Sequence, residues 1–452
     1  VSKPYRRAIC WVRRDLRLRD HAALALATAR AERLAVVFVF DRNILDALED
    51  RDDRRVGFIH ASLAEMDAKL RSVGSRLVVR VGDPTAEIPR LVRELDAEAV
   101  FAARDAEPYA KARDREVARR VRLETVKDAV VFEGGEIPED AHREFERRWR
   151  ERLVPGRDVA YHQADRHALW PAEELSDSQW SLETIGFAPQ PIEAGEDAAR
   201  ARLREFLPKL ARYRQDRSRP DLDGTSRLSP HLRFGTLSVR ECVRAALAHP
   251  SEGARKWLGE LIWRDYYHAY LDRHPEAVDG PVRPRALAPS GRPSHGAAWR
   301  EGRTGYPLID AAMRSLVATG LMPNRLRIVA ASFYANQLRL DPKDGEAWFA
   351  RHLLDFDLAN NNGGWQWCAG TDPSAPPYPR LVSPIAQSER YDPEGAFILR
   401  WVPEVRELIG PALHFPSRAT PLELEAAGIV LGEDYPWPIV DPVEARRRAG
   451  GR

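Results

Sequence analysis

Five short apolar runs, rich in β-branched and aromatic residues, alternate with helical-period stretches over the first 134 residues, and strand-like alternation then nearly vanishes. The runs are Ile9–Val12, Leu34–Phe40, Leu77–Val81, Ala99–Ala102 and Ala129–Phe132, and between them lie the amphipathic stretches Ala22–Arg33, Val56–Arg71 and Thr85–Leu95. Short β-runs spaced by helices mean βαβ units and a parallel sheet covered on both faces. Gly82-Asp83-Pro84 ends one run and offers Asp83 as the cap of the next helix. The sheet carries neither a GxGxxG turn nor a P-loop, so it shows no dinucleotide or nucleoside-triphosphate site.

From about residue 135 the pattern changes. Residues 135–200 are polar and interrupted by Pro138, Pro155, Pro171, Pro189 and Pro191, with a short basic helix expected over Ala141–Leu153. From Ala201 to about Leu431 the periodicity is helical, and the tail from Pro436 reads as a frayed end. The expected architecture is α/β plus all-α: a doubly wound parallel-sheet domain over 1–134, a linker over 135–200 and a helical domain over 201–452.

Charge alone does not announce a nucleic-acid binder, because 70 basic and 68 acidic residues leave a net of +2. Nearly all the cations are Arg, which binds phosphate bidentately wherever it clusters. Cys10, Cys242 and Cys368 stand alone, so neither a disulfide framework nor a metal site is expected. No apolar run approaches the length of a membrane span and the N-terminal residues lack a signal-type apolar core, so a cytoplasmic protein is expected.

Four segments of the helical part carry residue types that suit chemistry. In Asp223–Gly235 (DGTSRLSPHLRFG), a glycine turn is followed by hydroxyls where Ser229-Pro230 can start a helix; this suits a phosphate or a plain capped turn. In Lys256–His268 (KWLGELIWRDYYH), Glu260, Trp263, Arg264 and Tyr267 fall on one helical face, either as a site or as a core helix with a Glu260–Arg264 pair. Asn324, Arg327, Ile328 and Ala331 share a face after Met322-Pro323, with Arg325 pointing elsewhere. Asp355–Trp367 (DFDLANNNGGWQW) packs two carboxylates, three Asn amides, two glycines and two indoles into thirteen residues, a density that suits a planar heteroaromatic ligand.

Together with WVRRDLRLRDHAAL at Trp11–Leu24 and WREGRTGYPLIDAAMRSL, these segments resemble the photolyase/cryptochrome family in order and spacing over nearly the whole chain. The resemblance implies an FAD in the helical domain and light-driven repair of cyclobutane pyrimidine dimers in UV-damaged DNA by a monomer. It assigns Tyr213, Thr225, Ser226, Leu228, Ser229, Trp257, Arg264, Arg327, Asp355, Asp357 and Asn361 to the flavin, with Arg327 paired to Asp355 and Asn361 facing flavin N5. It assigns Glu260, Trp263, Arg264, Asn324, Arg325 and Trp367 to the flipped lesion, with Trp263 and Trp367 stacking on it. Glu260, protonated in an apolar setting, would donate to a thymine carbonyl.

Some positions depart from the family. Trp365 matches the first of three tryptophans that relay electrons to the flavin. The second position is Pro342, and Arg285–His295, where the third falls, contains no Trp. Slow photoreduction is therefore expected, with Trp348, Trp401 and Tyr334 as substitutes the sequence does not place. Ile328 and Pro323 also differ from the repair branch. Ala110 stands where folate-binding members carry Glu, which speaks against methenyltetrahydrofolate; a deazaflavin, a second flavin or no antenna stay open. The alternatives to dimer repair are a cryptochrome-type photoreceptor and a (6-4) photolyase. The short tail and intact lesion set argue against the first, and Pro323-Asn324 in place of a His pair argues against the second.

Overall fold

Parallel strands β1 (Tyr5–Trp11), β2 (Ala31–Asp41), β3 (Leu77–Gly82), β4 (Ala99–Ala103) and β5 (Leu123–Val126) form one sheet in the order β3-β2-β1-β4-β5. The computed structural model describes residues 3–177, 180–285, 288–373 and 381–448. Ile9 of β1 lies opposite Ala35 of β2 and Val100 of β4, so the strand order reverses on either side of β1. Helices Ala22–Arg30, Arg54–Arg71, Pro84–Glu94 and Pro108–Ala118 make the crossovers. Their starts are set by side-chain caps: His21 accepts from Leu24 N at 3.1 Å, and Asp83 accepts from Thr85 N at 2.8 Å with Pro84 in the first turn.

The last strand differs from the expectation. Ala129–Phe132 is irregular, and the fifth strand is the half-buried Leu123–Val126. The apolar run is buried, but for another reason: the N–H groups of Val131 and Phe132 donate to the Asp265 carboxylate at 2.9 and 3.2 Å instead of to a ladder. The first helix also ends three residues early, at Arg30, and Ala31–Arg33 join β2.

By packing, the chain forms two units. The first comprises the residues up to Glu139 together with Arg143–Leu210 and Ser226–Arg273; the second comprises Asp140–His142, Ala211–Thr225 and the chain from His274 onward. In the first unit, Trp170 and Leu175 enter the sheet core beside Ile9, Trp11 and Val37, and Leu169 bridges to Leu34. Helix Val239–Leu247 is tied in by charge. Asp128 receives Arg17 Nη2 at 2.8 and 2.7 Å, Arg240 Nη2 at 2.9 Å and Ala22 N at 3.0 Å. Asp20 pairs with Arg240 at 3.2 Å and with Arg244 at 2.7 Å. Buried charges of this kind are tolerated only when each is matched.

The second unit is helical, with a core around Trp299, Leu316, Phe333, Ile398 and Val405. The buried Asp310 carboxylate receives Thr304 N and Oγ1, Gly305 N and the Tyr435 hydroxyl, fixing the turn ahead of helix Pro307–Thr319. Among the described residues no helix is long and apolar enough to cross a membrane.

Candidate active site

The first unit presents helix Glu252–Arg273, which carries Trp257, Glu260, Trp263 and Arg264. Its position is fixed by Asp265, 1% exposed, which also accepts Trp149 Nε1 at 2.9 Å; burial pushes this carboxyl above its ordinary range. Trp257 is buried and packs on Phe206, with ring centroids 5.1 Å apart. The half-buried Trp263 rests against Tyr266 edge-on at 5.6 Å and against Tyr267 at 5.4 Å, which limits its freedom to turn.

Glu260 is not in the apolar setting expected for a protonated acid: Lys256 Nζ pairs with its Oε1 at 2.9 Å. Arg264 spends its guanidinium on backbone, donating to the carbonyls of Ala129 and Leu232. It therefore holds the irregular run after β5 in place, a role the sequence reading missed. Ser226 Oγ accepts from Leu228 N at 3.4 Å, Arg227 takes the left-handed φ of 50°, and Leu228 precedes the short helix Ser229–Arg233. Leu228 is buried and Ser229 exposed.

In the second unit Tyr213 is buried with the Arg217 guanidinium 5.8 Å from its ring centre. Gly224 stands where a Cβ would come within 2.6 Å of Asp216 Cβ, so the turn before Thr225 requires glycine. Pro323 precedes helix Asn324–Ser332, which exposes Asn324 at its start. Arg325 lies over the Tyr391 ring at 4.9 Å and donates to Gln387 Oε1 at 3.4 Å.

Arg327 and Asp355 come together: Nη2 donates to both carboxylate oxygens, at 2.9 and 2.7 Å, and the Asp355 side chain is 3% exposed. Asp357 caps helix Leu358–Ala369, accepting from Asn360 N at 3.0 Å and Asn360 Nδ2 at 2.8 Å. Asn361 is buried and donates through Nδ2 to the Glu346 carbonyl at 3.1 Å. Trp365 is buried and Trp367 half-buried on the same helix.

Part of the polar density of this segment proves structural. Asn362 donates to the Ala277 carbonyl at 2.9 Å and to Glu346 Oε1 at 3.0 Å, and Gln366 donates to the Gly280 carbonyl at 2.8 Å. Glu346, itself paired with Lys343 at 2.9 Å, was not singled out from sequence, because its partners lie 16 residues away in the chain or nearby on a helix that reads as surface. What remains for a ligand is the half-buried Arg327 with its buried partner Asp355, the Asn361 side chain, whose Nδ2 is shared with the Glu346 carbonyl, and the Trp365 Nε1, which is buried with no hydrogen-bond partner. A buried donor left over in this way, as at Trp365, calls for a partner. A flat heteroaromatic with both donors and acceptors, such as an isoalloxazine, fits that set.

Comparison with known proteins agrees with this chemistry. Residues 8–154 match the family model described as DNA photolyase, and residues 257–452 match the FAD binding domain of DNA photolyase. The chain is 36% identical over 467 residues to the deoxyribodipyrimidine photo-lyase of Escherichia coli, covering 97% of this chain and 96% of that protein. Its fold matches a class III photolyase from Agrobacterium tumefaciens with TM-score 0.88 and 29% identity, covering 99% and 97% of the two chains. It also matches a cryptochrome of Synechocystis with TM-score 0.87 and 26% identity, covering 98% of each. Near-full-length identity at this level, with both domain models matched in order, means that the chain belongs to the photolyase/cryptochrome family.

Proposed function

We propose that this protein is a deoxyribodipyrimidine photo-lyase that repairs cyclobutane pyrimidine dimers in UV-damaged DNA with FAD and blue light. The observation that carries the reading is the retention of Glu260, Trp263, Asn324 and Trp367 on a chain that matches a dimer photolyase over 97% of its length. When bound, reduced FAD excited by light supplies one electron to the cyclobutane ring and receives it back after the ring has split. The protein's tasks are to hold, orient and exclude water, since the chemistry needs no nucleophile.

Arg327 and Asp355 hold the flavin ring, with Asn361 offering its amide to the ring edge. Tyr213, Thr225, Ser226, Leu228 and Ser229 hold the ribityl and phosphate part, with Asp357 toward the ribose and Trp257 beside it. Trp263 and Trp367 sandwich the lesion after it leaves the duplex, a step the handling of a base inside a duplex requires. Glu260 and Asn324 hydrogen-bond the pyrimidine edges and Arg325 serves the lesion phosphate, while Arg264, held by the carbonyls of Ala129 and Leu232, adds its charge without a direct contact. Because Lys256 already pairs with Glu260, the acid meets its substrate through exchange of that partner.

Repair by this set favours the cyclobutane dimer over the (6-4) product, whose chemistry relies on a His pair where this chain has Pro323-Asn324. For a second chromophore, Ala110 is buried in helix Pro108–Ala118 and brings no carboxylate, which argues against a folate without choosing among a deazaflavin, a second flavin and no antenna. The test of substrate class is a side-by-side assay of two duplexes under blue light with chemically reduced protein. The duplex with a cyclobutane dimer is expected to be restored and the (6-4) duplex to stay unchanged; the reverse outcome rejects this assignment.

A further inference from the structure

The relay position after Trp365 is Pro342, which carries no oxidisable group, yet the Trp365 ring does not stand alone. Tyr334 meets it edge-on with ring centroids 5.9 Å apart, and Trp299 meets it edge-on at 6.3 Å. Tyr334 and Trp299 are themselves 4.6 Å apart, and all three are at most 3% exposed. Gly345 makes room for this cluster: a Cβ there would lie 2.2 Å from Trp365 Cη2. The other ring against Trp365 is Phe349, at 5.2 Å, which is not an electron donor.

The two alternative rings named from sequence sit elsewhere. Trp348 lies tilted against His352, with ring centroids 4.2 Å apart, under the Arg300 guanidinium, and Trp401 lies at the end of helix Ala396–Trp401, its carbonyl taken by Arg314. Neither ring is in contact with Trp365 among the described residues.

We propose that Tyr334 is the electron donor to Trp365 during light-driven reduction of the flavin, a shunt that takes the place of the interrupted tryptophan relay. This rests on the reading above that Trp365 is the residue oxidised by the flavin. In the first step Trp365 loses one electron to photoexcited oxidised FAD. The Trp365 cation then takes one electron from Tyr334, and the Tyr334 hydroxyl proton leaves, so a neutral tyrosyl radical remains. An external thiol returns one electron and one proton to it.

Two further features suit a terminal donor. Tyr334 sits in a π-helical turn, Phe333–Gln337, a geometry that recurs at functional sites. Its hydroxyl lies under helix Pro293–Glu301, 3.6 Å from where a Cβ of Gly296 would stand, and Ala297 next to it is exposed. Burial raises the phenol above its ordinary range, and the charges of Asp344, Arg300 and Asp341 act on it. Trp299, with its Nε1 committed to the Ala330 carbonyl at 3.2 Å and no exposure, has no such exit.

The experiment uses the full chain loaded with oxidised FAD, illuminated with blue light in the presence of a thiol. Wild type, Tyr334→Phe, Tyr334→Trp, Trp299→Phe and Trp365→Phe are compared at matched FAD-to-protein ratio. The readouts are the rate of flavin reduction and the electron paramagnetic resonance spectrum of the radical trapped on illumination, with ring-deuterated tyrosine to identify it. Wild type is expected to give a tyrosyl spectrum that narrows on deuteration. Tyr334→Phe should lose that spectrum and most of the photoreduction, Tyr334→Trp should recover photoreduction with a tryptophanyl spectrum, and Trp299→Phe should keep both. If Trp365→Phe abolishes photoreduction while Tyr334→Phe leaves rate and spectrum intact, Tyr334 is not the donor and the role of Trp365 stands. If Trp365→Phe has no effect, the placement of Trp365 beside the flavin fails and the shunt fails with it.

Discussion

Replacing Asp128 by Asn tests whether the charge network behind the sheet holds the first unit together. Asp128 is 3% exposed and accepts from Arg17, Arg240 and the amide of Ala22 at 2.7 to 3.0 Å, while Arg17 and Arg240 are each 3% exposed. Burial alone would raise its carboxyl, but the two guanidiniums outweigh it and hold the group well below the usual carboxylate range. Asn keeps the shape but leaves two buried arginines short of one countercharge, since Asp20 alone remains for Arg240. Removing one partner of such a pair costs about 3–5 kcal/mol. For a unit of this size that is a fall of roughly 10 °C in unfolding midpoint.

Calorimetry and far-UV circular dichroism of the full chain loaded with FAD measure it. Asp46→Asn, which breaks an exposed i,i+4 pair of 3.3 Å with Arg42, serves as reference and should cost at most about 1 kcal/mol. The sign with pH follows from the depressed carboxyl. The contribution of Asp128 is complete above its unfolded value of about 3.9. It is lost as pH falls below that value toward the lower folded one. The wild-type midpoint should therefore drop on acidification below about pH 4 with a component that Asp128→Asn lacks. A midpoint for Asp128→Asn within error of Asp46→Asn would refute this account of the network.

Two further outcomes follow from the site. Trp263→Ala and Trp367→Ala should each weaken binding of dimer-containing duplex by about 1–3 kcal/mol in a filter or anisotropy titration, with FAD content unchanged; lesion affinity unchanged from wild type in both variants would mean that the lesion is held elsewhere. Arg327→Gln leaves the Asp355 side chain, 3% exposed, without its charge partner. Hydrogen bonds to a charged group contribute about 1.5–3 kcal/mol, so flavin affinity measured by fluorescence on dilution should fall by about tenfold or more.

Four of the five strands were legible because each is an apolar run whose side chains the sheet buries on both faces. The fifth was not. Leu123–Val126 contains Glu124 and Thr125 and lies at an edge, whereas the more apolar Ala129–Phe132 is buried by Asp265, which follows about 134 residues later. Hydrophobicity reports burial, and backbone pairing is decided by partners the local sequence does not contain. The same limit applies to helix Val239–Leu247, whose place is set by Arg240 reaching Asp20 across 220 positions and Asp128 across 112.

The site divided in a similar way. The Arg327–Asp355 pair could be expected from the motif, and the structure brings the two side chains together. The polar density of Asp355–Trp367 suits a planar ligand, but Asn360, Asn362 and Gln366 are engaged by the chain itself. Trp299 and Tyr334 escaped notice as a pair because their 35-residue separation carries no periodic signal, and only the fold brings both to Trp365.

The most direct test is repair of a defined thymine-dimer duplex by FAD-loaded protein that has been reduced with dithionite, assayed by chromatography in blue light and in darkness. Light should restore the paired thymines with many turnovers per enzyme, and darkness should leave the dimer intact. Dimer persisting under illumination, while the bound flavin is spectroscopically reduced and the duplex is bound, would contradict light-driven dimer repair by this protein.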